Sequence, residues 1–123
     1  MRIYVSHSRN FDYKRELYEV LENSGLNLEF IFPHKDSEEA FDSKNLFQNK
    51  QCDLILAEGS YQATGQGIEL GWANILGFKI VTIYKGGSHL SNSLRNISVE
   101  VIEYVDSNDL VNKLTVYFQQ NIA

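Results

Sequence analysis

The sequence predicts an α/β domain in three layers, a mainly parallel sheet of five strands with helices on both faces. Three observations predict it. Apolar, β-branched runs alternate with stretches of helical apolar spacing along the chain, the pattern of a parallel sheet with right-handed crossovers. The third run, Leu54-Ile55-Leu56, is continuous rather than alternating, as in a central strand covered on both faces. The chain has 123 residues, enough for one substantial core and not for two.

Arg2 to Ser6 reads as the first strand, β-branched and aromatic. His7 to Asp12 is a polar loop. Tyr13, Leu17, Val20 and Leu21 then fall at i, i+4, i+7 and i+8, one face of an amphipathic helix, with Lys14, Arg15, Glu16 and Glu19 on its wet face and Gly25 as its C′ residue. Leu26 to Phe32 is the second strand, stopped by Pro33. His34 to Ser43 is a polar surface loop whose charges read as a solvated face, and Lys44 to Gln51 is a short helix. Asp53 to Ala57 is the third strand. Ile68, Trp72, Ala73, Ile75 and Leu76 give the next helix an apolar stripe that Gly77 ends. Lys79 to Tyr84 is the fourth strand. Residues 86–96 form a glycine- and serine-containing loop with room for a helical turn. Val99 to Val105 is the fifth strand, its Glu100 and Glu103 marking an edge. Leu110, Val111, Leu114, Tyr117 and Phe118 define the last helix. Five strands at this length make the arrangement a flavodoxin-like three-layer sandwich, with residues 1–123 as one domain.

Composition narrows the function. Hydrophobic residues make up 43% and aromatics 12%, which fits a globular chain. The formal net charge is -5 with no run of lysines or arginines, which argues against a nucleic-acid polymer or an anionic membrane as partner. A small anionic ligand needs only a few local arginines and backbone N–H groups. The single cysteine, Cys52, precedes an apolar strand and reads as a buried structural thiol. No apolar stretch is long enough for a membrane span and no signal peptide is evident, so the expected compartment is the cytoplasm. His34 and His89 show no metal-ligand spacing with each other or with Cys52, and neither a P-loop nor a dinucleotide fingerprint is present. No metal and no cofactor is called for. Ser6-His7-Ser8 lacks a nearby acidic orienter and makes a poor hydrolase triad.

The chemistry concentrates in residues 53–71. An apolar strand runs into a glycine-bearing turn, and the reading places Glu69 in the first turn of the helix that follows, where the helix N-terminus keeps a carboxylate ionised. Ligands bind at the C-terminal ends of strands in open α/β sheets, and an ionised, positioned carboxylate there is a candidate nucleophile. Gly65 and Gly67 flank Gln66 and would let the backbone approach a sugar closely, with one of them expected at positive φ. The bland reading of Glu69 is a glutamate that merely complements the helix dipole.

The block Asp53-Leu-Ile-Leu-Ala-Glu58 followed by Gly65-Gln-Gly-Ile-Glu69-Leu-Gly71 resembles the strand-loop-helix block of the nucleoside 2-deoxyribosyltransferase superfamily, which includes 2′-deoxynucleoside 5′-monophosphate N-glycosidases. The resemblance implies that Glu69 attacks the anomeric carbon. Ile3-Tyr4 is similar to the family's Ile/Leu-Tyr pair, which makes Tyr4 the hydroxyl that orients the nucleophile. The loop His7-Ser8-Arg9-Asn10 takes the place of the residues that line the sugar and phosphate. Leu90-Ser91-Asn92-Ser93-Leu94-Arg95 is similar to the monophosphate hydrolases' Leu-Ser-x-x-Ile-Arg segment, whose serine reaches the neighbouring subunit's phosphate. That implies a homodimer, phosphate contacts from Ser91 and Arg95, and hydrolysis rather than transfer. The C-terminal Gln119-Gln-Asn-Ile-Ala123 does not match the transferases' C-terminal arrangement.

Two positions depart from the family pattern. Where the family has an aspartate that handles protons at the leaving base, this chain has Asn45, in Asn45-Leu-Phe-Gln48, and an amide is not a general acid. Asp42 is a nearby substitute, and Asn45 is expected beside the base. His7 stands where the family often has a small residue; it can donate to a phosphate, protonate a base, or narrow the pocket. Three functional readings follow. The first is an enzyme that cleaves the N-glycosidic bond of a nucleoside or its 5′-monophosphate. The second, prompted by Asn45, is a nucleotide-binding or sensing module with little turnover. The third is an NAD glycohydrolase, because Ile3 to Ser8 resembles the opening strand of Toll/interleukin-receptor-like domains.

Overall fold

The computed structural model describes residues 1–121. Five strands, β1 (Arg2–His7), β2 (Glu29–Ile31), β3 (Leu54–Glu58), β4 (Ile80–Lys85) and β5 (Glu100–Tyr104), form one sheet in the order β2-β1-β3-β4-β5. All four neighbouring pairs are parallel. This order reverses direction between β1 and β3, the switch point at which such sheets bind ligands. β3 is central and buried along its whole length, and β5 is an edge, as its apolar run and its two glutamates predict.

Helices cover both faces. The first, α1, begins as a π-helical segment, Lys14–Tyr18, and continues as an α-helical turn, Glu19–Glu22. With α5 (Ser107–Asn121) it packs on the face that carries Ile3, Val5, Leu54, Leu56, Val81 and Ile83. On the opposite face α2 (Ser43–Gln48), α3 (Thr64–Ile75) and α4 (Asn92–Ile97) meet Tyr4, Ile55, Ala57 and Ile80. The strand period of two divides β1 cleanly, with odd positions toward α1 and α5 and Tyr4 toward α2 and α3. Each buried Leu, Ile or Phe in these layers contributes about 1.5–3 kcal/mol.

Several boundaries move from the sequence reading. β2 spans three residues rather than seven: it is an edge strand with three register pairs to β1, and Leu26 and Leu28 pack into the α1–α5 core before pairing starts. Asn23 is the C-cap of α1, so Gly25, at φ +76°, lies one residue beyond the C′ position. Residues 86–96 do contain a helix, α4, capped by the Ser91 hydroxyl, which accepts from the Ser93 and Leu94 N–H groups. The apolar stripe assigned to α3 is largely misdirected. Leu70 and Ala73 are buried, whereas Ile68, Trp72 and Ile75 are exposed, Ile75 to 84%. Cys52 is in the core, and burial pushes its thiol up to about 11.

The end of α3 follows the predicted glycine stop. Gly77 N–H bonds the Asn74 carbonyl at 3.1 Å and Phe78 N–H bonds the Ala73 carbonyl at 3.0 Å, a Schellman closure with Gly77 at φ +85°. A Cβ on Gly77 would meet nothing within 4 Å, so the cost of a side chain there is purely conformational. Gly77→Ala is expected to lower stability by about 1–2 kcal/mol. Urea titration checks it, with the midpoint lowered and the slope unchanged. Among the described residues no helix is long and apolar enough to cross a membrane.

Candidate functional site

Glu69 sits in the second turn of α3, not the first, because the helix starts at Thr64 and has no acidic residue in its opening turn. Side chains from β1, rather than the helix dipole, hold the carboxylate. The Tyr4 hydroxyl donates to Oε1 at 2.5 Å and the Ser6 hydroxyl donates to Oε2 at 2.6 Å. Tyr4 and Ser6 are two residues apart on one strand and so project from the same face, one for each carboxylate oxygen. Both are fully buried, and Glu69 itself is half-buried. Burial, and then the Glu69 charge, push the Tyr4 phenol far above its ordinary value, so it serves as a permanent donor.

Gln66 fixes the helix that carries Glu69. Its side-chain amide donates to the Glu58 carbonyl at 2.8 Å and the Ser6 carbonyl at 3.3 Å, tying the ends of β3 and β1 to the start of α3. Neither Gly65 nor Gly67 has positive φ. Both lie inside the first turn of α3 with helical backbone, and a Cβ on either would meet nothing within 4 Å. Their contribution is open space beside the helix.

A cavity of about 320 Å³ opens beside Glu69 at the C-terminal ends of β1 and β2. That is the lower end of the range for small-molecule sites, about 300–1,000 Å³. Tyr4, Glu69 and Gly65 line it; His7, Arg9 and His34 supply further polar groups, and Phe41, Ile68 and Trp72 supply apolar surface. Tyr4 also packs against Phe41 and Phe47, with ring centroids 5.8 and 5.2 Å away.

His7 is committed to the fold. Its Nδ1 lies 2.7 Å from the Ser8 carbonyl, an acceptor only, so Nδ1 carries the hydrogen. Nε2 then accepts from the Tyr18 hydroxyl at 2.6 Å. With both nitrogens occupied and the ring 8% exposed, burial pulls its pKa down to about 4. His7 therefore narrows the cavity as a neutral ring, and the expectation of a free donor to phosphate or base is corrected.

The other anticipated residues divide. Arg9 lines the cavity, but its guanidinium donates to the Glu38 carbonyl and, at 2.8 Å, to the Glu38 carboxylate. Glu38 also accepts from Lys14 and Tyr13, and these three partners hold its carboxyl at about 2. The 34–43 loop, read as a solvated face, is thereby tied to Arg9, Tyr13 and Lys14, and its His34, Ala40, Phe41 and Ser43 line the cavity. Ser8 is buried, with its hydroxyl accepting from Asn10 N–H at 3.0 Å; neither residue lines the cavity. Asn45 is exposed and accepts from Asn49 at 2.7 Å, outside the cavity lining. Asp42 caps α2 by accepting from Asn45 N–H. Gly67 and Ser91 line a separate cleft of about 550 Å³ between α3 and α4. Arg95 stacks on Tyr84, 5.4 Å from its ring centroid. Ile122 and Ala123, part of the C-terminal stretch compared above, lie outside the described residues.

Ser6, Gln66 and His34 were not anticipated. Ser6 was legible from strand alternation once Tyr4 had been assigned. His34 follows Pro33 just past the end of β2, the position where an open sheet places ligand-facing groups. Among the described residues no cluster of three His, Cys, Asp or Glu side chains is placed to hold a metal.

The architecture is shared with known structures. The CMP N-glycosidase BcmB of Clostridium botulinum superposes with a TM-score of 0.64 at 23% identity, covering 94% of this chain and 99% of that one. The 2-deoxyribosyltransferase of Bacillus psychrosaccharolyticus superposes with a TM-score of 0.60 at 20% identity, covering 91% of each chain. A de novo designed Rossmann 2x3 protein reaches 0.58 at 12% identity, covering 99% of this chain and 91% of that one, so these likenesses establish fold alone. No protein-family model and no curated protein matches the chain.

Proposed function

We propose that this chain is an N-glycosidase of the nucleoside 2-deoxyribosyltransferase type, acting on a nucleoside or a nucleoside 5′-monophosphate. The observation that carries the reading is the Glu69 carboxylate, gripped by the Tyr4 and Ser6 hydroxyls at 2.5 and 2.6 Å beside a cavity at the C-terminal ends of β1 and β2. A helix-dipole glutamate needs neither hydroxyl and no cavity. The fold shared with a CMP N-glycosidase and a 2-deoxyribosyltransferase supports the same reading.

In this mechanism the glycosidic bond breaks through an oxocarbenium-like transition state. Glu69 stabilises the growing charge beneath the sugar and closes on C1′ to form a glycosyl ester. Tyr4 and Ser6 aim the carboxylate. Water resolves the ester in a hydrolase and a second base resolves it in a transferase; the Leu90-Ser91-Asn92-Ser93-Leu94-Arg95 segment favours hydrolysis. Ser91 and Arg95 lie outside the Glu69 cavity of their own chain, which suits contribution to a partner's site. The exposed Ile68, Trp72 and Ile75 on α3 suit a homodimer contact beside that cavity. Arg9, which lines the cavity, would meet a 5′-phosphate by exchanging Glu38 for it.

The test is incubation with a panel of nucleosides, deoxynucleosides, their 5′-monophosphates and NAD, followed by chromatography for free base. Base from a nucleoside or monophosphate supports the proposal, and nicotinamide alone redirects it to an NAD glycohydrolase. A binding or sensing module is favoured by one observation, the turning of Asn45 away from the cavity. It predicts a melting shift with no base released. In an active protein Tyr4→Phe is expected to lower kcat about ten- to hundredfold through loss of a hydrogen bond to a charged group, with KM little changed.

A further inference from the structure

Departure of a nucleobase requires a proton on the leaving nitrogen or its conjugated oxygen, and positioned acids supply about 10²–10⁴-fold of rate for that step. The cavity beside Glu69 holds few groups able to give one. Tyr4 donates to Glu69 itself. Both nitrogens of His7 are occupied. Arg9 is tied to Glu38, and a guanidinium does not release its proton. Asn45, at the position of the family's acid, is an amide bonded to Asn49 on the outer side of α2.

His34 is left, and its geometry is distinctive. It lines the cavity, and its ring makes no side-chain hydrogen bond among the described residues. Nδ1 is sealed from solvent with no hydrogen-bond partner among the described residues, and the residue borders the cavity. The ring is braced edge-on by His7 and Tyr13, with centroids 5.8 and 6.1 Å away. Its backbone N–H is anchored to the Tyr18 hydroxyl at 3.1 Å. A buried nitrogen without a partner costs folding free energy and is worth explaining at a site.

We propose that His34 is the acid that protonates the departing base, filling the role that Asn45 vacates. The proposal rests on the glycosidase reading. As the C1′–N bond breaks, its electron pair passes to the base, the Nε2 proton of the His34 imidazolium moves onto the base, and a Glu69 oxygen closes on C1′. Water then attacks C1′, the Glu69–C1′ bond breaks, and the water's proton returns to His34. Nucleotide and water give free base and sugar phosphate, with both side chains restored.

The charged and titratable groups facing His34 are His7 from β1, Tyr13 and Tyr18 from α1, Arg9 and Glu38 from the flanking loops, and Glu69 from α3. Burial, and then Arg9, lower its pKa, while the Ser37 backbone, and after it Glu69 and Glu38, act in the opposite sense. The imidazolium is therefore populated on the acid side of neutrality, and base release should accelerate as pH falls.

The experiment measures kcat and KM from about pH 5 to 8 for wild type and His34→Gln. Each is tested on the base that wild type releases and on an activated counterpart, N7-methylated for a purine or 5-nitro-substituted for a pyrimidine, whose base leaves without a proton. Expected is a loss of about 10²–10⁴-fold in kcat on the ordinary substrate, under tenfold on the activated one, and a flattened acid-side rise. His34→Ala should regain rate with added imidazole, a response that a packing role would not give. Equal losses on both substrates, or an unchanged pH profile in His34→Gln, overturn the proposal while the glycosidase reading stands. A wild type that cleaves neither substrate overturns both.

Discussion

Glu69→Gln is expected to lower base release on the order of 10⁴-fold, the scale seen when one member of a cooperating catalytic set is removed. Glutamine keeps the volume of Glu69 and one oxygen acceptor, so the Tyr4 hydroxyl retains a partner and α3 has no reason to move. What disappears, in the proposed mechanism, is the negative charge beneath the sugar and the atom that bonds C1′. Glu69→Ala should be equally inactive but also less stable, because the buried Tyr4 and Ser6 hydroxyls both lose their acceptors, at about 1–3 kcal/mol for each unsatisfied group. The two variants thus separate chemistry from folding. Single-turnover base release by chromatography reads the rate, and mass spectrometry of quenched wild type should find the glycosyl adduct on the peptide containing Glu69. Retention of more than about a tenth of the rate in Glu69→Gln would remove the nucleophile from the mechanism, since loss of a bond-forming group cannot be that mild.

The architecture was legible in the sequence wherever one element's own pattern decided it. The Leu54-Ile55-Leu56 run places β3 at the centre, Gly77 stops α3, and Glu100 and Glu103 mark the edge, all from local chemistry. Reading fails where a distant partner decides. The start of α3 carries no apolar stripe; Thr64-Gly-Gln-Gly is helical because Gln66 reaches the carbonyls of two other strands. Placing the helix start too late gave the helix dipole a part in holding Glu69; the Tyr4 hydroxyl that the resemblance named holds it together with Ser6, which was not anticipated. Ile68, Trp72 and Ile75 carry a helical spacing that reads as core yet are exposed, because spacing alone cannot distinguish a buried apolar face from an exposed one. His7 looked like a free donor because nothing local announces Tyr18 as its partner. His34 escaped notice because its site is assembled from β1, α3 and the loop after β2, which meet only in three dimensions.

His7 also sets an acid limit on the fold. Its ordinary pKa is about 6.5, and in the folded chain burial holds it at about 4. The folded value is the depressed one, so between these two points the unfolded chain binds more protons than the folded chain. Stability is then fully present above about 6.5 and is lost as pH falls through about 4. That gap corresponds to about 3 kcal/mol, at about 1.4 kcal/mol for each pH unit, a large share of the 5–15 kcal/mol typical of a domain. His34, also depressed, adds in the same direction. Glu58 opposes it: burial raises its carboxyl, so its contribution is present at low pH and fades as pH rises. Glu38, ordinarily near 4.5 and held at about 2, adds in the same direction as His7 while pH falls from about 4.5 toward 2. His7→Gln should be less stable than wild type at neutral pH, because the Tyr18 hydroxyl loses a well-placed acceptor, yet its stability should fall less steeply between about pH 6.5 and 4. Urea midpoints across that range give the comparison. Parallel curves for the two proteins would mean that the His7 ring takes up its proton without unfolding pressure, and the hydrogen-bonded neutral tautomer would have to be abandoned.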